Sequence, residues 1–158
     1  MSNVALHRPR ATGETHQFAI VASLFNEQYV RGLVDHATEE LKSLSPAAAI
    51  SLHQVPGAFE IPVVVRELAL QKKADAILAL GVILQGKTSH AKNLARSVTD
   101  ALQQIAVEHG VPVINAVLSL ETEAQAEERC LGSEINRGTE AARAAIAIAN
   151  IMGELRAR

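Results

Sequence analysis

Segments of two kinds alternate along this chain. Runs rich in apolar residues occupy Phe18 to Leu24, Ala48 to Val55, Ala74 to Leu84 and Val111 to Leu118, and between them apolar residues recur every three or four positions. The first kind reads as buried strand and the second as amphipathic helix. Val30, Leu33, Val34, Ala37 and Leu41 form one helical stripe, which stops before Ser45 and Pro46. Pro56 and Gly57 break the second strand, and a helix over Glu60 to Gln71 accommodates Pro62 in its first turn, where the missing N–H is not needed. Ala74 to Leu84 is the most apolar segment, as a parallel strand covered on both faces requires, and it is expected at the centre of a sheet. Leu94, Val98, Ala101, Leu102 and Ile105 share one face of the next helix, which Gly110 stops. Thr122 and Gln125 suit a capping box for a short helix reaching about Arg129, and an Ala-rich helix follows from about Asn136 to Leu155.

This alternation predicts a three-layer αβα sandwich of four parallel strands and five helices, joined by right-handed crossovers. With no repeat, linker or low-complexity tract, residues 18–158 read as a single domain behind a flexible polar arm, residues 1–17. Ligands of such sheets sit beyond the carboxyl ends of the strands. The segments to examine are therefore Phe25-Asn26, Ala58-Phe59-Glu60, Gln85 to His90, and Asn115 onward.

Composition narrows the function. A chain of 158 residues with 48% hydrophobic and 20% charged positions is neither disordered nor collagen-like. Its net charge of -2 lacks the cationic surplus of a nucleic-acid binder and leaves room for an acidic small-molecule substrate. No apolar run approaches the ~20 residues of a membrane span, and the polar start carries no signal peptide, so a cytoplasmic protein with no membrane partner is expected. The single cysteine, Cys130, has no internal disulfide partner, and no Cys/His spacing suggests a metal. With no Trp, one Tyr and three Phe, Phe25 and Phe59 stand out at strand ends.

Gly81 to Thr88 satisfies the phosphate-loop pattern G-x-x-x-x-G-K-[ST]. A true phosphate loop leaves the sheet at its first glycine, whereas Val82, Ile83 and Leu84 read as further strand, and no aspartate is placed to hold Mg²⁺. The smaller expectation is that Gly86, Lys87 and Thr88 open a helix whose N-terminus holds one phosphate; spacing alone leaves an ordinary helix cap equally open. His90 lies in the first turn of that helix, where the positive dipole end disfavours an imidazolium and suits a neutral base, although a structural role stays open. Glu60 is either a helix cap or an acceptor for substrate hydroxyls. Arg129 and Arg137 flank a loop between helices and read, alone, as solvated charge. So do His7, His16, His36, His53 and His109.

Taken in order, Phe25-Asn26, the block Val55-Pro56-Gly57-Ala58-Phe59-Glu60-Ile61-Pro62, Gly81 to His90, Pro112-Val113-Ile114, Glu123 to Arg129 and Asn136 to Ala142 closely resemble the 6,7-dimethyl-8-ribityllumazine synthases. The resemblance runs from about Phe18 to the C-terminal helix. It implies a four-stranded flavodoxin-like sheet and the penultimate step of riboflavin synthesis: 5-amino-6-(D-ribitylamino)uracil condenses with 3,4-dihydroxy-2-butanone 4-phosphate, releasing phosphate and water, with no cofactor or metal. By matching position it makes His90 the proton-transfer residue and Phe25 the stacking partner of the pyrimidine. Ala58, Phe59 and Glu60 would line the pyrimidine and ribityl pocket, with backbone contacts from Val82, Ile83 and Leu84. Lys87 and Thr88 would hold the butanone phosphate, which Arg129 of a neighbouring subunit would pair. The resemblance also implies a homopentamer, alone, paired into a decamer or built into a sixty-subunit shell, with Asn115 and Arg129 reaching the site from the next chain.

Three positions depart from the family pattern. Asn115 stands where many members carry Phe, which replaces an aromatic wall by a polar side chain. Arg137 replaces a frequent Lys and keeps the charge with a different geometry. Leu24 stands where an arginine often precedes Phe-Asn. The polar Asn115 motivates an alternative: a non-catalytic flavin- or lumazine-binding protein of the same fold.

Overall fold

The computed structural model describes residues 4–157; residues 1–3 of the expected arm and Arg158 of the expected domain lie outside the described residues. Strand β1 (Gln17–Ser23) leads to helix α1 (Glu27–Leu44), and β2 (Ala49–Val55) passes through a single 3-10 turn (Ala58–Glu60) into α2 (Ile61–Gln71). β3 (Ala76–Leu84) is followed by α3 (His90–His109), and β4 (Val113–Leu120) by the short α4 (Glu123–Ala126), a π-helical turn (Glu127–Leu131) and α5 (Arg137–Arg156). The sheet has the order β2-β1-β3-β4 and every pairing is parallel. No helix among the described residues is long and apolar enough to cross a membrane.

Burial follows the hydrophobic pattern. β3 is buried at every position but Leu84 and β1 at every position but Gln17, as two inner strands covered on both faces must be. β2 is an edge strand and is largely exposed, with Leu52 reaching solvent. Phe18, Ile20 and Ala22 pack with Leu33, Leu41 and Ile146 of α1 and α5; Ala19 and Val21, on the opposite face, pack with Val65 of α2 and Leu102 of α3. The Ala-rich face of α5 rests on α1 as closely as small side chains allow: a Cβ on Gly138 would stand 2.3 Å from the Leu33 carbonyl oxygen. Gly110 ends α3 at φ 64°, the left-handed conformation that a helix stop of this kind needs.

Several local expectations are corrected. Gly86, Lys87 and Thr88 do not open α3. Its first helical hydrogen bond runs from the Asn93 N–H to the Ser89 carbonyl, so the helix begins at His90 and the three residues form an exposed bend before it. Only half of the expected capping box forms: the Thr122 hydroxyl accepts from the Gln125 N–H at 3.2 Å, but the Gln125 side chain accepts from the Glu121 N–H instead of that of Thr122. His16 is buried rather than solvated, since Asn150 of α5 approaches its Nε2 at 3.0 Å and Glu14 and Asp75 flank the ring. His109 is half-buried, with its Nε2 shielded from solvent.

Residues 6–14 lie along the domain. Glu40 accepts hydrogen bonds from Arg8 at 3.0 Å and Arg143 at 2.9 Å, Arg143 donates to the Leu6 carbonyl, and the Thr12 N–H donates to the Leu44 carbonyl. Partial burial works to raise the Glu40 carboxyl, but hydrogen bonds and charge from Arg143 and Arg8 outweigh it and hold the group below its ordinary value.

Candidate active site

In this strand order the chain goes one way from β1 to β2 and the other way from β3 to β4, so the topological switch point falls between the carboxyl ends of β1 and β3. A cavity of about 390 Å³ opens there. Phe25 and Asn26 line it from the end of β1; Gly57, Ala58, Phe59 and Glu60 from the end of β2; Val82, Ile83 and Leu84 from the end of β3. His90, Ala91 and Leu94 close it from the first turns of α3.

Each wall has a local cause. β3 stays paired with β4 out to Leu84 and Leu120, which puts Val82 to Leu84 in the sheet and removes the phosphate-loop geometry. The Gly57 N–H donates to the Glu60 carboxylate at 2.9 Å, a cap that orients Glu60 and leaves its second oxygen without a protein hydrogen bond among the described residues. Phe25 lies against Gly57, where an added Cβ would be 3.4 Å from the ring. Phe25 and Phe59 remain 73% and 68% exposed, so two of the four aromatic side chains stand in solvent beside one cavity, an arrangement that core packing does not explain. His90 is exposed, and its imidazole makes no hydrogen bond among the described residues. The Thr88 hydroxyl accepts from the His90 N–H at 3.4 Å, and Ser89 offers α3 no side-chain cap, which leaves first-turn N–H groups of that helix for solvent or an anion.

The structure thus brings together Phe25, Ala58, Phe59, Glu60, Val82, Ile83, Leu84 and His90. Lys87 and Thr88 stand in the exposed bend beside His90 and do not line the cavity, nor do Asn115 and Arg129. Asn115 lies on the edge strand β4, donating to the Thr99 hydroxyl at 3.2 Å and accepting from the Val117 N–H. Arg129 lies in the π-helical turn without a hydrogen bond or ion pair among the described residues. Burial pushes the neighbouring Cys130 thiol up to about 12, and the Arg129 charge offsets only part of that. Arg137 pairs with Glu140 within α5, in a separate hollow that Asn115 also lines.

Sequence reasoning did not assign Asn26, Gly57, Ala91 or Leu94 to the site. For Leu94 the signal was present, because it stands four residues after His90 and so shares its helix face. Asn26 was singled out with Phe25 as a segment beyond the first strand but was given no role of its own. In the structure its backbone is left-handed at φ 58° and its side-chain amide donates to the Val82 carbonyl at 2.7 Å.

Comparison with known proteins gives the arrangement its relatives. The 6,7-dimethyl-8-ribityllumazine synthase family profile matches residues 15–153. A 6,7-dimethyl-8-ribityllumazine synthase of Halorhodospira halophila is 38% identical over 142 residues, covering 89% of this chain and 91% of the relative. One of Stenotrophomonas maltophilia is 38% identical over 145 residues, covering 91% and 94%, and one of Paraburkholderia phymatum is 36% identical over 149 residues, covering 94% and 84%. With the profile spanning nearly the whole chain and relatives aligned across most of theirs, the chain belongs to the 6,7-dimethyl-8-ribityllumazine synthase family.

Proposed function

We propose that the cavity at the switch point is one half of an active site in which 5-amino-6-(D-ribitylamino)uracil condenses with 3,4-dihydroxy-2-butanone 4-phosphate. Family membership assigns the chain to lumazine synthesis, a transferase reaction of riboflavin biosynthesis. The pyrimidine amine attacks the ketone and loses water to form an imine, phosphate is eliminated, and ring closure with loss of water gives the lumazine. His90 moves protons in these steps, as a positioned imidazole beside the reacting atoms can. Phe25 stacks on the pyrimidine, the Glu60 oxygen not engaged by Gly57 accepts from ribityl hydroxyls, and the backbone of Val82 to Leu84 meets the ring edge. Ala58 and Phe59 complete that pocket. Lys87 and Thr88 hold the butanone phosphate from the bend just before the N-terminus of α3. With no covalent nucleophile assigned, much of the rate comes from holding two reactants at high effective molarity.

The observation that carries this reading is the meeting of Phe25, Glu60, Val82 to Leu84 and His90 around one cavity, from four separate segments. Asn115 and Arg129 do not reach it, and we place them in the cavity of an adjacent copy, within a homopentamer that stands alone, pairs into a decamer or builds a shell. Heterologous contacts of this kind close into rings when the rotation between neighbours closes, as the pentamer requires. The exposed position of Asn115 on an edge strand and the guanidinium of Arg129, without an ion pair among the described residues, favour that placement. The same reading treats residues 18–158 as one catalytic domain, 1–17 as its arm, and the cytoplasm as its location. Following lumazine absorbance with both substrates, against the spontaneous reaction, tests it: turnover above the control is expected, whereas tight lumazine or flavin binding without turnover would make the chain a binding protein of the same fold.

A further inference from the structure

Pairing of β1 with β3 ends at Ala22 and Leu80, so on the β1 side the Val82 carbonyl lies beyond the last rung of the ladder. Val82 is 2% exposed, and a buried carbonyl needs a donor. The donor is the Asn26 side-chain amide at 2.7 Å. Asn26 can reach it because its backbone is left-handed, a conformation that asparagine tolerates better than most residues. The same junction is tied to a third segment: the Leu24 N–H donates to the Val55 carbonyl at 2.9 Å and the Phe25 N–H to the Pro56 carbonyl at 3.2 Å. The Asn26 carbonyl in turn accepts from the N–H groups of Tyr29 and Val30 and starts α1. One residue therefore joins the lip that carries Phe25 to the lip formed by the end of β3, and both lips line the cavity.

We infer that Asn26 is a positioning residue, which fixes the spacing between the Phe25 ring and the Val82-Ile83 backbone and so sets the slot for the planar pyrimidine. Satisfying a carbonyl alone would need only a donor; here the donor directly follows the residue that carries the exposed ring, whose backbone N–H is itself tied to the Pro56 carbonyl. The inference rests on the proposed pyrimidine site. It acts through Phe25, and this separates it from a purely structural role.

Asn26→Gly keeps the left-handed backbone and removes the amide, and Asn26→Asp replaces the donor with an oxygen that the Val82 carbonyl repels. Both are to be assayed for KM toward each substrate, kcat and Tm, alone and on a Phe25→Ala background. Misplacing one wall of a site costs rate and affinity steeply, so Asn26→Gly is expected to raise KM for the ribitylaminouracil roughly tenfold while KM for the butanone phosphate stays within about twofold. On the Phe25→Ala background the same change should have less than about a twofold effect, as coupled residues behave in a double-mutant cycle. A lower Tm with both KM values unchanged would overturn the inference, as would an undiminished effect without Phe25 or a failure of both variants to fold. A parent protein inactive above the spontaneous rate would instead overturn the proposed function.

Discussion

The two ends of the sheet use similar residues to opposite ends. At the amino end His16 is buried against Phe18, approached by Asn150 and flanked by Glu14 and Asp75, and Asp75 also accepts from the Gln17 N–H at 2.7 Å. Nearby, Lys72, His109 and Arg156 surround a hollow of about 270 Å³ where α2, α3 and α5 end, and Arg156 donates to the Gly110 carbonyl. The charges of Lys72 and Arg156 there offset the negative helix ends beside them. At the carboxyl end His90 is exposed, two phenylalanines face solvent, and among the described residues neither the His90 imidazole nor the second Glu60 oxygen has a hydrogen-bond partner. A fold gains stability by satisfying its polar groups and gains a binding site by leaving some unsatisfied. The residue type decides neither outcome.

Truncating each of the two histidines should have opposite consequences. His90→Ala should lower kcat ~10²–10⁴-fold, the usual worth of a general acid or base, and leave Tm unchanged. A variant within about twofold of the parent would remove His90 from the chemistry. Arg129→Ala should raise KM for the butanone phosphate through loss of a charge-assisted contact of roughly 1.5–3 kcal/mol, with KM for the pyrimidine little changed. Equal weakening toward both substrates would make Arg129 an interface or folding residue. His16→Ala should show the reverse profile: a loss of about 1–3 kcal/mol in stability, read as a lower melting temperature, with kcat and both KM values intact.

The smallest effect concerns the arm. Because the folded-state value of Glu40 is depressed, its contribution is fully present above its unfolded value and is lost as pH falls through the folded one. Melting curves of the parent and Glu40→Gln should therefore differ at neutral pH and converge in acid, below the ordinary carboxylate range. A gap that persists there would assign the stability to packing rather than charge.

What was legible in the sequence divides along the same line. The unbroken hydrophobicity of Ala76 to Leu84 announced an inner strand, and Gly110 and Pro62 marked helix ends, because these signals are local. The block from Val55 to Pro62 and the segment ending at His90 marked two walls of the cavity. The burial of His16 was hidden because it depends on Asn150, 134 positions away, and the Asn26 contact because it depends on Val82, 56 positions away. The start of α3 was placed too early because Gly86 to Thr88 matches a phosphate pattern, while the strand before it continues to Leu84.

If the exposed carboxyl end of the sheet is half of a site, another copy of the chain must complete it. A His90→Ala chain and an Arg129→Ala chain, each impaired, can be unfolded together, reassembled and assayed for lumazine formation. Random mixing around a closed ring pairs an intact His90 with an intact Arg129 at roughly a quarter of the interfaces, so activity should recover to about that fraction of the parent's. Mixed assemblies that show only the average of the two mutant activities would place the whole site within one chain and rule out a site shared between copies.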